Sequence, residues 1–116
     1  MIRTIALLAT VAFVAAGSAA AMPAKTITGT VGPSFEIRLT QGGKHVTKLK
    51  AGTYRLVVDD IASLHDFHLV GPGVNKVITG VGFEGTRTIA VRLKKGVYSY
   101  MCDPHAGSMH GTFTVV

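Results

Sequence analysis

The sequence predicts a single all-β domain, folded as a β-sandwich, and two observations support this. Apolar and polar residues alternate with a period of two along most of the chain, and glycine-containing turns separate the alternating segments. We find no segment with apolar residues at helical spacing after the N-terminal region. A chain of 116 residues has room for one such domain.

The alternation predicts about seven or eight short, half-buried strands. One of them covers residues 26–31, and turns at 41–44 and 94–96 separate others. In the remaining strands one face is expected to lie in the core. The residues on that face are Phe35, Ile37 and Leu39; Tyr54, Leu56 and Val58; His65, Phe67 and Leu69; Ile89, Val91 and Leu93; Tyr98, Tyr100 and Cys102; and Phe113 and Val115.

Residues 1–21 have the three parts of a secretory signal peptide. A positive start with Arg3 precedes an apolar run over residues 5–16, and small residues end the segment at Ala21. An uncleaved membrane anchor is the alternative, but the apolar run is short for a span of ~20 residues. We therefore expect residues 22–116 to form the mature domain, without a membrane span, in the periplasm or otherwise secreted.

The charge of the chain is positive, with 12 Lys and Arg against 6 Asp and Glu and a net charge of +6. The basic residues are scattered along the sequence, with no basic helix and no basic stripe interleaved with aromatic residues. Nucleic-acid binding is therefore not expected. The charge favours an acidic protein partner, or serves solubility.

The segment around Cys102 contains the candidate metal ligands. Cys102, His105 and Met109 offer a thiolate, an imidazole and a thioether within one short stretch, a soft set that suits copper. His65 is the leading candidate for a second imidazole, because it shares a predicted core face with Phe67. His68, three residues on, would point to the opposite face and is the alternative. Two imidazoles, one thiolate and a weak axial thioether form the arrangement found at blue-copper electron-transfer sites, so we expect one copper ion per chain.

Three alternative roles for Cys102 have less support. It could be a buried structural thiol, since cysteine is often buried. It could be a nucleophile paired with His105, but such a mechanism has no use for Met109 and no third orienting residue is evident. Zinc could bind the cysteine and two histidines, although structural zinc sites rarely accept a thioether. We therefore expect a metal-binding protein that is not an enzyme.

The stretch from Gly96 to His105, followed by Met109 and residues 111–115, resembles the C-terminal part of the cupredoxins, the blue type 1 copper proteins. The plastocyanin and pseudoazurin branch is the most similar. This resemblance implies a Greek-key sandwich with the copper near one end, and ligand roles for His65, Cys102, His105 and Met109. It implies a monomeric one-electron carrier that docks transiently with a redox partner protein, with His105 as the route for the electron. Periplasmic copper buffering or delivery with the same ligands is the alternative function.

Three residues or spacings depart from the family pattern. Asp66 replaces the usual asparagine, whose hydrogen bonds tie the two ligand-bearing loops together. Three residues separate His105 from Met109, where plastocyanin-like proteins have four, so a reduction potential cannot be carried over. Met101 replaces the exposed tyrosine that plastocyanins use in docking, which argues against a remote docking site of that kind.

Overall fold

The computed structural model of the chain describes residues 10, 23 and 25–116, and the last of these ranges forms ten β-strands. One short 3-10 turn, Asp103–His105, lies between the last two strands. The strands are β1 (Thr26–Val31), β2 (Ile37–Gln41), β3 (Lys44–His45), β4 (Lys48–Leu49), β5 (Gly52–Asp60), β6 (Phe67–Gly71), β7 (Val74–Thr79), β8 (Gly85–Leu93), β9 (Gly96–Met101) and β10 (His110–Val115).

Two five-stranded sheets form the sandwich. The first has the order β3-β2-β1-β5-β8, and the second has the order β4-β10-β9-β6-β7. The β1–β5 and β4–β10 pairs are parallel, and the other pairs are antiparallel. This architecture confirms the predicted all-β, cupredoxin-like sandwich.

Most of the buried core residues are those that the alternating sequence pattern places on one face of a strand. In β5, the side chains of Tyr54, Leu56, Val58 and Asp60 are buried while the intervening ones are not, because successive residues of a strand face opposite sides. Four aromatic rings lie at the centre of the second sheet. Phe67 stacks on Tyr100 with ring centroids 5.8 Å apart, and Tyr98 stacks on Phe113 at 5.3 Å.

The two ends of the sandwich differ in which loops they carry. At one end β1, β5, β7 and β9 finish and β2, β6, β8 and β10 begin. We call this the ligand end, because both His65 and the Cys102–Met109 loop lie there. The opposite end carries the start of β1 and the turns after β2, β4, β6 and β8.

Two predicted strands begin later than the alternation indicated. β6 starts at Phe67, so His65 and Asp66 belong to the loop after β5, although both side chains are buried. β2 starts at Ile37, and Phe35 lies in the preceding loop with its side chain 63% exposed. The expectation that Phe35 faces the core is therefore wrong.

The predicted signal peptide, residues 1–21, lies outside the part that the structure describes, apart from residue 10. Among the described residues, no helix is both long and apolar enough to cross a membrane.

Candidate metal centre

Three of the predicted donors meet at the ligand end. The His65 Nδ1 atom lies 3.7 Å from the Cys102 sulfur, and the His105 Nδ1 atom lies 3.6 Å from it. The two Nδ1 atoms are 3.3 Å apart. Cys102 and His65 are fully buried, whereas His105 is only partly buried. Within residues 25–116, this is the group of histidine, cysteine and acidic side chains that could hold a metal ion.

The spacing of these atoms matches the size of a metal ion. A point equidistant from three atoms at these separations lies about 2 Å from each, close to the ~2.0–2.1 Å of a zinc–imidazole bond and slightly below the ~2.3 Å of a zinc–thiolate bond. Two ring nitrogens and a sulfur within 3.7 Å of one another form a soft donor set. With Met109 beside them, they fit one type 1 copper site.

Hydrogen bonds within the loop bring Met109 back to the other donors. The Cys102 N–H donates to the Met109 carbonyl at 3.0 Å, and the Met109 N–H donates to the His105 carbonyl at 2.8 Å. The His105 N–H in turn donates to the Cys102 carbonyl at 3.0 Å. Pro104, in the first turn of Asp103–His105, helps to end the strand. The Met109 side chain is fully buried.

Burial raises the pKa of the Cys102 thiol. The nearby backbone N–H groups of Asp66 and His105 act on this pKa in the opposite direction, because they favour the thiolate. A neutral thiol is a poor ligand, so a bound cation would complete the stabilisation of the thiolate that these two N–H groups begin.

Asp66 connects the two segments that carry the donors. Its Oδ1 atom accepts a hydrogen bond of 2.6 Å from the Asp103 N–H, so the residue after His65 holds the residue after Cys102. This is the loop-to-loop hydrogen bond that the resemblance implied for the asparagine position. Burial, together with a hydrogen bond shared with the Asp103 carboxyl, raises the pKa of Asp66 to about 6.

His68 lies apart from the metal cluster. Its Nδ1 atom is 2.9 and 3.0 Å from the two carboxylate oxygens of Asp103, and its Nε2 atom is 2.6 Å from the Asn75 Oδ1 atom. Burial lowers the pKa of His68, but its contacts with Asp103 and Asn75 outweigh burial and raise that pKa. The pKa of Asp103 is lowered, mainly by its hydrogen bond with Asp66 and also by His68.

The other histidines also lie outside the cluster. His110 is exposed at the start of β10, where its Nδ1 atom is 2.8 Å from the Ala106 carbonyl. His45 is exposed on β3. Of the two candidates for the second imidazole, the structure brings His65 to Cys102 and His105, and it does not bring His68 there.

Phe35 belongs to the site, although no sequence pattern indicates this. Its ring packs edge-on against His105 at a centroid distance of 4.9 Å and against His65 at 5.7 Å. In the sequence, Phe35 follows a Gly-Pro turn and precedes a strand. This pattern carries no information on which loop Phe35 would cover.

Further exposed apolar side chains lie on the loops around these histidines. Ile61 and Leu64 belong to the loop that carries His65, and Val81 belongs to the loop after β7. The two loops are joined by a 3.0 Å hydrogen bond from the Gly82 N–H to the Ser63 carbonyl. We call Phe35, Ile61, Leu64 and Val81 the apolar rim.

Comparison with known proteins agrees with this geometry. The family described as copper binding proteins, plastocyanin/azurin family, matches residues 11–116, which is nearly the whole chain. The chain therefore belongs to the plastocyanin/azurin family of copper-binding proteins, as the sequence resemblance to cupredoxins predicted.

Solved structures of rusticyanin have the same fold. Reduced rusticyanin at 1.9 Å superimposes with a TM-score of 0.56 at 20% identity, covering 78% of each chain. Rusticyanin from Thiobacillus ferrooxidans at 1.27 Å gives a TM-score of 0.52 at 21% identity, covering 78% of this chain and 76% of that one. No curated protein sequence gives a significant match.

Proposed function

We propose that the chain is an exported type 1 copper protein that carries single electrons between partner proteins. The observation that carries this proposal is the assembled triangle of His65, Cys102 and His105 donor atoms, 3.3 to 3.7 Å apart, in a chain of a copper-binding family. We assign ligand roles to these three residues and the weak axial role to Met109. Bound copper supplies the one-electron couple between Cu(I) and Cu(II).

The protein contributes a fixed set of donors to this function. The Cys102–Met109 loop holds three of them through its own backbone hydrogen bonds, and Asp66 ties that loop to the His65 segment. Donors that are held by their surroundings need little rearrangement when the charge of the site changes. Small rearrangement favours rapid exchange of an electron, so the proposal is a carrier rather than an enzyme.

Electron exchange would take place through His105 and the apolar rim. His105 is the only one of the three clustered donor residues that is partly exposed, and Phe35 packs against its ring. A small apolar surface suits the weak, short-lived contacts of redox encounters, which bury less than ~1,200 Å². We propose that a monomer docks there with its redox partner, in the periplasm or outside the cell after cleavage of residues 1–21.

The alternative role, copper buffering or delivery, has less support. Extra histidines near the site, His68 and His110, would favour this role if they were free to bind copper. His68 has Asp103 and Asn75 as partners, and His110 has the Ala106 carbonyl.

Titration of the processed protein with Cu(II), followed by visible absorption, tests the proposed site. We expect an intense thiolate-to-copper charge-transfer band that saturates at one copper per chain and is lost in Cys102→Ser. A colourless protein that nevertheless binds Cu(I) tightly would favour copper handling. Absence of copper binding in either oxidation state would contradict both roles.

Truncation of His105 tests the electron route. In His105→Gly, with free imidazole added to restore the absorption band, we expect electron transfer to the physiological partner to slow about tenfold or more, because the contact at the apolar rim is lost. The matched control is His110→Gly, which removes a nearby histidine outside the cluster and should leave the rate unchanged. An unchanged rate in His105→Gly would contradict the assignment of His105.

A further inference from the structure

The acidic residues lie at the ligand end of the sandwich, whereas eight of the eleven described basic residues lie at the opposite end. The six acidic residues of the chain all lie on loops or strand ends at the ligand end, as the strand order and register place them. They are Glu36, Asp59, Asp60, Asp66, Glu84 and Asp103. The opposite end carries no acidic residue.

Eight basic residues cluster at that opposite end, although they are scattered in the sequence. Lys25 and Arg55 are neighbours there, since the Arg55 N–H donates to the Lys25 carbonyl at 2.8 Å. Lys44, Lys48 and Lys50 belong to β3, β4 and the turn that follows β4. Arg92, Lys94 and Lys95 belong to the end of β8 and the turn after it. We call these eight residues the basic end.

The side chains of the basic end are available to a partner. All eight are exposed. Neither of the two ion pairs among residues 25–116 involves any of them, because those pairs join Arg38 to Glu36 and His68 to Asp103. An open cleft of about 520 Å³ lies among them, with Arg92, Lys94 and Lys95 in its lining.

The composition of the basic end favours a diffuse anionic surface over an acidic protein. Six of the eight residues are lysines, which act as mobile point charges, whereas arginine is the residue that suits defined bidentate contacts. Protein–protein interfaces are enriched in aromatic residues and arginine and depleted in lysine. Among the described residues, the large exposed apolar side chains at this end are Val97 and Val116, and neither is aromatic.

We propose that the basic end docks the protein on a membrane surface that contains anionic phospholipids. Clustered lysines near a bilayer are attracted by its negative surface potential, and the attraction requires neither a pocket nor an insertion segment. The lysines and arginines of the basic end would bind the phosphate groups of the lipids. This docking surface is separate from the proposed electron-transfer surface.

Docking in this way leaves the ligand end free. β5 runs from one end of the sandwich to the other, and its nine residues at ~3.3 Å each separate the two ends by about 25–30 Å. The apolar rim and the six acidic residues would then point away from the membrane, where a water-soluble partner can reach them. The protein would be held at the surface without its copper site being covered.

Vesicle binding by the copper-loaded, exported protein tests this proposal. At low ionic strength we expect binding to vesicles of mixed phosphatidylglycerol and phosphatidylcholine, and no binding to vesicles of phosphatidylcholine alone. About 1 M salt should release the protein, because the screening length falls to about 3 Å. Reduction of the bound protein by ascorbate should proceed at the rate of the free protein, since the ligand end stays exposed.

Two double charge-reversal variants distinguish binding through the basic end from binding caused by net charge alone. Lys94→Glu/Lys95→Glu should weaken binding to the anionic vesicles about tenfold or more. The control Arg38→Glu/Arg87→Glu changes the net charge equally, but towards the ligand end, and should weaken binding much less. Unchanged visible spectra would show that both variants fold and hold copper.

Four outcomes would overturn the proposal. They are no binding to anionic vesicles at low salt, equal binding to uncharged vesicles, equal weakening by the two double variants, and binding to soluble polyglutamate as tight as to the vesicles. The last result would assign the surface to an acidic protein. None of these outcomes affects the copper titration, so the two proposals fail independently.

Discussion

Asp66 is the residue of the site whose ionisation has the clearest consequence. It occupies the position where the family usually has asparagine, and the residue is 3% exposed, with its carboxyl beside that of Asp103. Burial and the shared hydrogen bond favour its protonated form and raise its pKa to about 6. A protonated aspartate and an asparagine offer the same acceptor to the Asp103 N–H, and each offers a donor to the Asp103 carboxylate.

Replacement of Asp66 by asparagine should therefore stabilise the copper-free protein at neutral pH. An acid whose pKa is raised in the folded state lowers stability as the pH rises from the unfolded pKa of about 4 to the folded pKa of about 6. We expect Asp66→Asn to raise the free energy of unfolding by about 1–2 kcal/mol at pH 7, with the gain shrinking towards zero near pH 4. Urea unfolding at several pH values measures this.

Glu84→Gln is the matched control for this variant, since it removes an exposed acid at the same end of the molecule. It should change stability by less than about 0.5 kcal/mol at either pH. A gain in Asp66→Asn that is equally large at pH 4 and pH 7 would show that ionisation of Asp66 is not its cause.

Tyr98 and Gly71 form the clearest packing constraint among the strands. The Tyr98 ring is fully buried, and its hydroxyl donates to the Pro72 carbonyl at 2.6 Å and accepts from the Lys94 N–H at 2.9 Å. These bonds join the turn after β6 to the turn after β8. A Cβ atom at Gly71 would overlap the Cγ and Cδ1 atoms of this anchored ring.

Gly71→Ala should consequently destabilise the protein. Because hydrogen bonds hold Tyr98 at its hydroxyl, relief of the overlap requires a shift of β6, and overpacking of this kind costs about 1–3 kcal/mol. Gly80→Ala is the control, since nothing lies within 4 Å of a Cβ there. Thermal unfolding of both variants measures the difference, and equal stability of the two would contradict the constraint.

The strands that the sequence predicted well are those with one buried face. In β5, β9 and β10, alternating burial follows the alternating residues directly, so Tyr54, Tyr98 and Phe113 were placed correctly. β7 was not predicted, because its first four residues are not buried and its last two both are, which leaves no period of two. Its pairing with β6 depends on tertiary contacts, which the local pattern of apolar and polar residues does not reveal.

The candidate site was predictable to the extent that its donors are close in sequence. Cys102, His105 and Met109 lie in one loop, and their residue types alone indicate a soft metal ion. The position of Phe35 was not predictable, since it depends on how the loop before β2 lies over a histidine of the loop before β10. The basic end was missed for the same reason, because charges scattered in sequence meet only after the sheets form.

At the scale of the whole molecule, copper should stabilise the fold. A ligand held only by the folded state at about 1,000 times its Kd adds about 4 kcal/mol. For a domain of this size, each kcal/mol raises Tm by about 4–8 °C, so copper loading should raise Tm by about 15–30 °C. Differential scanning calorimetry of loaded and copper-free protein measures the shift, and Cys102→Ser should largely abolish it. Identical melting of the two forms would contradict a buried metal site.

The placement of three donors in one loop has a consequence for the denatured chain. A denatured chain keeps Cys102, His105 and Met109 within eight residues of one another, and lacks only His65, which is 37 residues from Cys102. With the ligand roles proposed above, copper would bind before the sheets form, and such binding would reduce the stabilisation below the value for exclusive binding to the folded state. It would also close the loop between β9 and β10 in advance, which would favour early pairing of that hairpin. We expect copper added to the denatured protein to shorten the refolding time, so the metal supply would influence how the chain folds as well as its redox state.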